Sequence, residues 1–170
     1  MEILETKLKD VLMFKPKIYR DFRGSNMELY NNKIYTDVIY EKFNKKINFV
    51  LDKMTISSKN VLRGIHGDSK TWKLVSCLQG KIYFGVVNCK KNCSDFGDWG
   101  SFDLSGENRH QVLVPPMYGN AHLVLTDDAI FHYKWSEYYN LPEQFSYKWN
   151  DSKFKIKWPI KNPILSERDS

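Results

Sequence analysis

Apolar and polar residues alternate in short runs along most of this chain, and stretches at helical spacing are few. "NFVLDKMTIS" (48–57), "VLRGIH" (61–66), "WKLVSCLQ" (72–79) and "KIYFGVVNC" (81–89) are rich in β-branched and aromatic residues. So are "HQVLVPP" (110–116), "AHLVLT" (121–126) and "AIFHYKW" (129–135). Each predicts a strand. "KFKIKWPIK" (153–161) alternates lysine with Phe154, Ile156 and Trp158 and predicts a further strand with one wet face. Turn signals punctuate the runs: Gln79-Gly80, Asp127-Asp128 and the long loop "KKNCSDFGDWG" (90–100). One helical turn is expected at "NLPEQF" (140–145), with Pro142 near its start. Many short strands without intervening long helices predict an all-β sandwich or barrel, with residues 1–170 as a single domain.

Period-two geometry then says which side chains can meet. Asn120 and His122 share one face of their strand, and Phe131, Tyr133 and Trp135 share one face of the next. Lys73 shares a face with Val75 and Cys77, so an ammonium stands in apolar company and requires a carboxylate or a ligand. Arg63 and His66, three apart, fall on opposite faces under strict alternation; Gly64 between them permits a bulge that would re-aim one of them.

Composition narrows the class. A hydrophobic fraction of 42% and an aromatic fraction of 15% describe a globular chain. No apolar run is long enough to cross a bilayer, and the N-terminus lacks a signal-peptide pattern. Cys77, Cys89 and Cys93 show no zinc-type spacing, which fits reduced thiols in the cytoplasm, where the "NCS" sequon at Asn92 would go unused. The net charge of +6 suits an anionic partner, but lysines scattered along strands are as well explained by solvated faces, and a nucleotide diphosphate needs only a few arginines.

Several motifs in order carry a resemblance. "FKPKIYRDFRGSNMELYN" (14–31), "NVLRGIH" (60–66) and "KLVSCLQGKIYFGVVN" (73–88) are followed by "FGDWGSFDLSGENRHQVLVPP" (96–116). "AIFHYKWSEYY" (129–139), "WNDSKFKIKWP" (149–159) and "PILSERD" (163–169) complete the series. In this order and register the chain resembles the nucleotide-sugar 3,5-epimerases, whose type member acts on dTDP-4-keto-6-deoxyglucose in rhamnose synthesis. The resemblance implies a cupin-type jelly-roll barrel, a homodimer, and catalysis without cofactor or metal. It implies a cytoplasmic enzyme that binds a nucleotide-diphosphate sugar and neither nucleic acid nor membrane.

It also implies roles. His66 would be the general base, Asp151 of "WNDS" the carboxylate that orients it, Lys73 the cation beside the developing enolate, and Tyr133 the proton donor on the opposite sugar face. Arg23, Glu28 and Arg63 would face the substrate, with the arginines near its diphosphate, and Asn120 and His122 would line the same site. These residue types suit the reaction: inverting a carbon beside a ketone removes one proton and returns another from the far side. Imidazole suits a base working near neutrality, and a carboxylate fixes its tautomer. A cation aimed at the C4 oxygen acts where charge develops.

The chain also departs from the family pattern. The segment between His66 and Lys73 is short, Asn120 stands where a histidine is usual, with His122 two residues on, Leu51 and Lys53 replace polar residues, and Asn60 replaces a glycine. These departures resemble the branch acting on GDP-4-keto-6-deoxy-heptoses in capsule synthesis, the expected substrate, with the dTDP-hexose enzyme of rhamnose synthesis as the alternative. A metal-dependent cupin would show an H-x-H pair, which is absent. A non-catalytic sugar-binding barrel would keep the arginines without needing base or phenol, and a ketoisomerase would share the proton abstraction. Whether C3, C5 or both invert stays open, as does reprotonation by Tyr133 or by water.

Overall fold

The computed structural model describes residues 1–170. Its strands are β1 (Glu2–Glu5), β2 (Leu12–Lys15), β3 (Tyr19–Asp21), β4 (Gly24–Asn26), β5 (Leu51–Ser58), β6 (Leu62–Asp68) and β7 (Lys73–Gln79). They continue with β8 (Lys81–Asn88), β9 (Trp99–Ser105), β10 (Gln111–Val114), β11 (Tyr118–Val124), β12 (Asp128–Trp135) and β13 (Gln144–Ser146). Six strands form one sheet in the order β1-β2-β10-β7-β12-β5, and five form a second in the order β13-β6-β11-β8-β9. Hydrogen-bonded neighbours far apart in sequence, such as β7 with β12 and β6 with β11, make this a jelly roll.

The inner faces meet in a core that includes Val75, Cys77, Ile82, Phe84, Val86, Leu104, Val112 and Val114. All seven apolar runs from residue 48 to 135 contain strands, and the expected single turn is a 3-10 helix at Leu141–Glu143. All three cysteines are free, and no helix is long and apolar enough to cross a membrane.

Two segments differ from expectation. Asn32–Phe43 forms an α-helix, α1, which the low amphipathic contrast of "NKIYTDVIYEKF" conceals. Asn31 caps it by accepting from the Ile34 amide, and Asn44 ends it in the left-handed conformation at φ 52°. Only Tyr35 and Ile39, one turn apart, are buried. They pack on Leu12, Phe14, Leu74 and Leu113 on the outer face of the six-stranded sheet, and the Tyr35 hydroxyl donates to Gln111 Oε1. Tertiary packing rather than propensity holds this helix.

Residues 153–161 do not form the expected strand. Asp151 folds the chain into a turn, its backbone carbonyl accepting from the Phe154 amide at 3.1 Å, and Lys155 takes φ 52°. The alternation of burial is nonetheless real: Phe154 is buried and Ile156 and Trp158 pack beside it on the outer face of the five-stranded sheet, while the lysines are exposed.

Candidate active site

At one end of the roll the two sheets part around a cavity of about 290 Å³. The six-stranded sheet contributes Lys53 and Thr55 from β5, Lys73 and Val75 from β7, and Phe131, Tyr133 and Trp135 from β12. The five-stranded sheet contributes Arg63 and His66 from β6, and Asn120 and His122 from β11. Period-two alternation explains most of this list, because each strand presents every second residue inward.

Arg63 and His66 break that rule. Asn120 pairs with His66 and His122 with Arg63, so β6 spends three steps where β11 spends two. The extra residue is a bulge that sends Ile65 to the outer cluster and returns both polar side chains to the cavity. Gly64 sits in the bulge at φ 117°, and a Cβ there would lie 2.5 Å from the Asn120 carbonyl oxygen. No other residue fits.

His66 Nε2 lies 2.6 Å from Asp169 Oδ1. Burial alone would raise the Asp169 carboxyl; the hydrogen bond and charge of His66, with the Ser166 hydroxyl, hold it below the usual carboxylate range. An ionised carboxylate accepts only, so Nε2 carries the hydrogen, and in the neutral ring the lone pair is on Nδ1. Asp169 reaches this position because the C-terminal segment runs beside β6. The Leu62 amide donates to the Ile164 carbonyl, the Ile164 amide donates to the Asn60 carbonyl, and a 3-10 turn at Glu167–Asp169 delivers the carboxylate.

This corrects the expectation for Asp151, which lies outside the cavity, with Oδ1 accepting from the Lys153 amide at 2.9 Å. It is a turn former, the ordinary work of Asp at such a position. The signal for Asp169 was the acid of "PILSERD", a motif whose place in the fold no local pattern reveals.

Lys73 is 5% exposed. Its ammonium donates to Asn120 Oδ1 at 3.2 Å and lies 5.0 Å from the centre of the Trp135 ring. Burial lowers its pKa to about 8, partly countered by Asp68 and reinforced by Arg168. Among the cavity residues, Lys53, Arg63, Lys73 and Arg168 face a single carboxylate, Asp169. Four cations against one anion suit an anionic ligand.

Arg23 and Glu28 are not brought to this cavity. Arg23 sits on the hairpin of β3 and β4, paired with Asp21 at 2.6 Å, and every residue from Tyr19 to Asn26 is exposed. Glu28 is also exposed, beside Asn31. Sequence reasoning missed Lys53, Trp135, Tyr139, Gln144, Ser166 and Arg168 as lining residues. For Lys53 and Trp135 the signal was available, since they share strand faces with Thr55 and Tyr133.

His132 lies on the other side of the sheet, its Nδ1 3.0 Å from Ser76 Oγ and its Nε2 2.6 Å from Asp52 Oδ1. The chain of groups resembles a hydrolase triad, but Ser76 is buried at 2% exposure and does not line the cavity. It is a satisfied polar network on the outer face of the six-stranded sheet.

The sheet order and the polar side chains on the inner faces place the molecule among the cupin-type jelly-roll proteins. Residues 5–170 match the model of the dTDP-4-dehydrorhamnose 3,5-epimerase family, and the chain belongs to that family of isomerases. It is 35% identical to dTDP-4-dehydrorhamnose 3,5-epimerase of Shigella flexneri over 99% of this chain and 93% of the relative. The solved structure of the Legionella pneumophila 3,5-epimerase in complex with dTDP-4-keto-L-rhamnose superposes with a TM-score of 0.92 at 33% identity, covering 99% of this chain and 89% of that one. That of the Elizabethkingia anophelis enzyme gives 0.90 at 36% identity, covering 99% and 93%.

Proposed function

We propose that this protein inverts carbons beside the ketone of a nucleotide-diphosphate 4-keto-6-deoxy sugar, with dTDP-4-keto-6-deoxyglucose of rhamnose synthesis as its substrate. The observation that carries the proposal is that His66 and Tyr133, rooted in opposite sheets, line one cavity. His66 Nδ1 removes the proton from C3 or C5, both acidified by the C4 ketone, and the resulting imidazolium is held by Asp169. The electron pair moves to the C4 oxygen, where the Lys73 ammonium meets it. Tyr133 returns a proton to the opposite face. The cations around the cavity neutralise the diphosphate.

The dTDP assignment is supported by the names of the relatives. A GDP-4-keto-6-deoxy-heptose substrate from capsule synthesis is the second reading. What favours it is that Lys53 and Asn120, two of the departures from the family pattern, both stand on the cavity wall. Incubation in deuterated water with dTDP- and GDP-linked 4-keto-6-deoxy sugars tests both. Solvent deuterium at C3 or C5 supports the epimerase, the labelled carbon gives the regiochemistry, and the faster-exchanging nucleotide gives the substrate. A folded protein that binds these sugars without exchange would instead be a binding module.

The homodimer belongs to the same proposal. Phe22 is 97% exposed at the tip of the β3–β4 hairpin, and Met54 and Ile56 are exposed on the outer face of edge strand β5. In that dimer we assign Arg23 and Glu28, which stand apart from their own chain's cavity, to the cavity of the second copy. Free cysteines suit action in the cytoplasm.

A further inference from the structure

Four buried side-chain polar atoms lack a hydrogen-bond partner: Asn88 Nδ2, Tyr118 Oη, His122 Nε2 and Trp135 Nε1. Asn88 and Tyr118 are cross-strand neighbours away from the cavity. His122 and Trp135 both line it, one from each sheet. An orphaned buried donor or acceptor costs about 1–3 kcal/mol, and native structures rarely retain one without a use. Both belong to residues in facing walls of one cavity, where a small turn of the ring toward a bound ligand would supply the partner that the protein does not.

Both rings pack on aromatic neighbours. His122 is 4% exposed and stacks on Phe131, with centroids 4.0 Å apart and planes at 10°. Trp135 packs on Tyr133 at 5.8 Å, with the Lys53 and Lys73 ammonium groups 5.8 and 5.0 Å from its ring centre. Neither residue brings a positive charge to the diphosphate. Indole is uncharged, and burial together with Arg63 and His66 lowers the His122 pKa to about 3, leaving a neutral imidazole beside the cationic groups. A neutral imidazole offers one donor and one acceptor, and indole one donor. A sugar hydroxyl both donates and accepts, so it matches His122 in either tautomer, and a hydroxyl, ring or carbonyl oxygen matches Trp135.

We infer that His122 and Trp135 are specificity-determining residues that hydrogen-bond the sugar of the substrate, while the cations hold its diphosphate. The inference rests on the nucleotide-sugar reading and divides its cavity into a neutral sugar-reading pair and a charged anchoring set. His122→Phe keeps the stacked ring and removes both nitrogens; Trp135→Phe keeps an aromatic face for the lysines and removes the N–H.

Calorimetric titration with dTDP against dTDP-glucose, and with GDP against GDP-mannose, reads the division directly. Each variant is expected to weaken the nucleotide sugar by about 3- to 10-fold, as loss of one hydrogen bond implies, and to leave the bare nucleoside diphosphate unchanged. The ligand-free melting temperature of His122→Phe is expected to rise, since an orphaned polar group has gone. A structural histidine would lower it. Equal weakening of nucleotide and nucleotide sugar overturns the inference, as does unchanged affinity for both in both variants. If His122→Phe does not fold, Trp135→Phe decides by the same criteria. A folded wild-type protein that binds none of the four ligands overturns the nucleotide-sugar reading and the inference with it; binding without selective loss overturns the inference alone.

Discussion

His66 is governed by one carboxylate, and Lys73 by its burial. The pairing of His66 with Asp169 predicts that Asp169→Asn lowers kcat by about 10²–10⁴-fold, because the amide no longer enforces the tautomer that leaves Nδ1 free. Asp151→Asn, outside the cavity, should leave kcat within about twofold. Steady-state kinetics of the two variants separates these residues. Lys73 makes a prediction of opposite sign for stability and activity. Its folded pKa of about 8 lies below the ordinary 10.5, so between those values the unfolded chain binds more protons and wild-type stability rises with pH. Below pH 8 the buried charge costs up to about 3 kcal/mol, so Lys73→Met should melt higher than wild type while losing turnover. Turnover of the wild type should fall as pH rises through about 8, and Lys73→Arg, if active, should move that limb to higher pH. Lys73 was legible in the sequence because an ammonium between apolar neighbours is costly; Asp169 was not, because nothing local says where a C-terminal acid will dock.

Among the elements, β6 carries the least regular task, since its bulge turns two residues three apart onto one face. Gly64→Ala should cost at least about 2 kcal/mol, because the added methyl meets both an unfavourable φ and the backbone of β11. Thermal denaturation checks the cost, and binding of the nucleotide sugar should weaken in parallel as Arg63 and His66 lose their shared face. The possibility of this bulge was visible from Gly64, but its register was not, because register depends on β11 across the sheet. The helix α1 shows the same division. Its apolar stripe is so narrow that only the outer face of the six-stranded sheet reveals why Tyr35 and Ile39 are there.

For the whole molecule, the proposed dimer predicts a site shared between two copies. Arg23→Ala and His66→Asn should each be inactive or nearly so. Mixed after unfolding and refolding together, they should regain up to about a quarter of wild-type activity, because half the dimers would carry one intact site. Light scattering should show a dimer, weakened by Phe22→Ser. A monomer with full activity would overturn the arrangement, and additive inactivity in the mixture would confine each site to one chain.

Strand parity and composition alone determined the all-β sandwich or barrel and which side chains share a face, Asn120 with His122 and Phe131 with Tyr133, because those are local properties repeated every second residue. The tertiary structure alone decided that Asp169 rather than Asp151 braces the histidine, that Arg63 joins His66, and that Arg23 stands apart from its own chain's cavity. These depend on contacts between segments up to 103 residues apart, and closing such a contact is a matter of how whole sheets pack rather than of any short run of side chains.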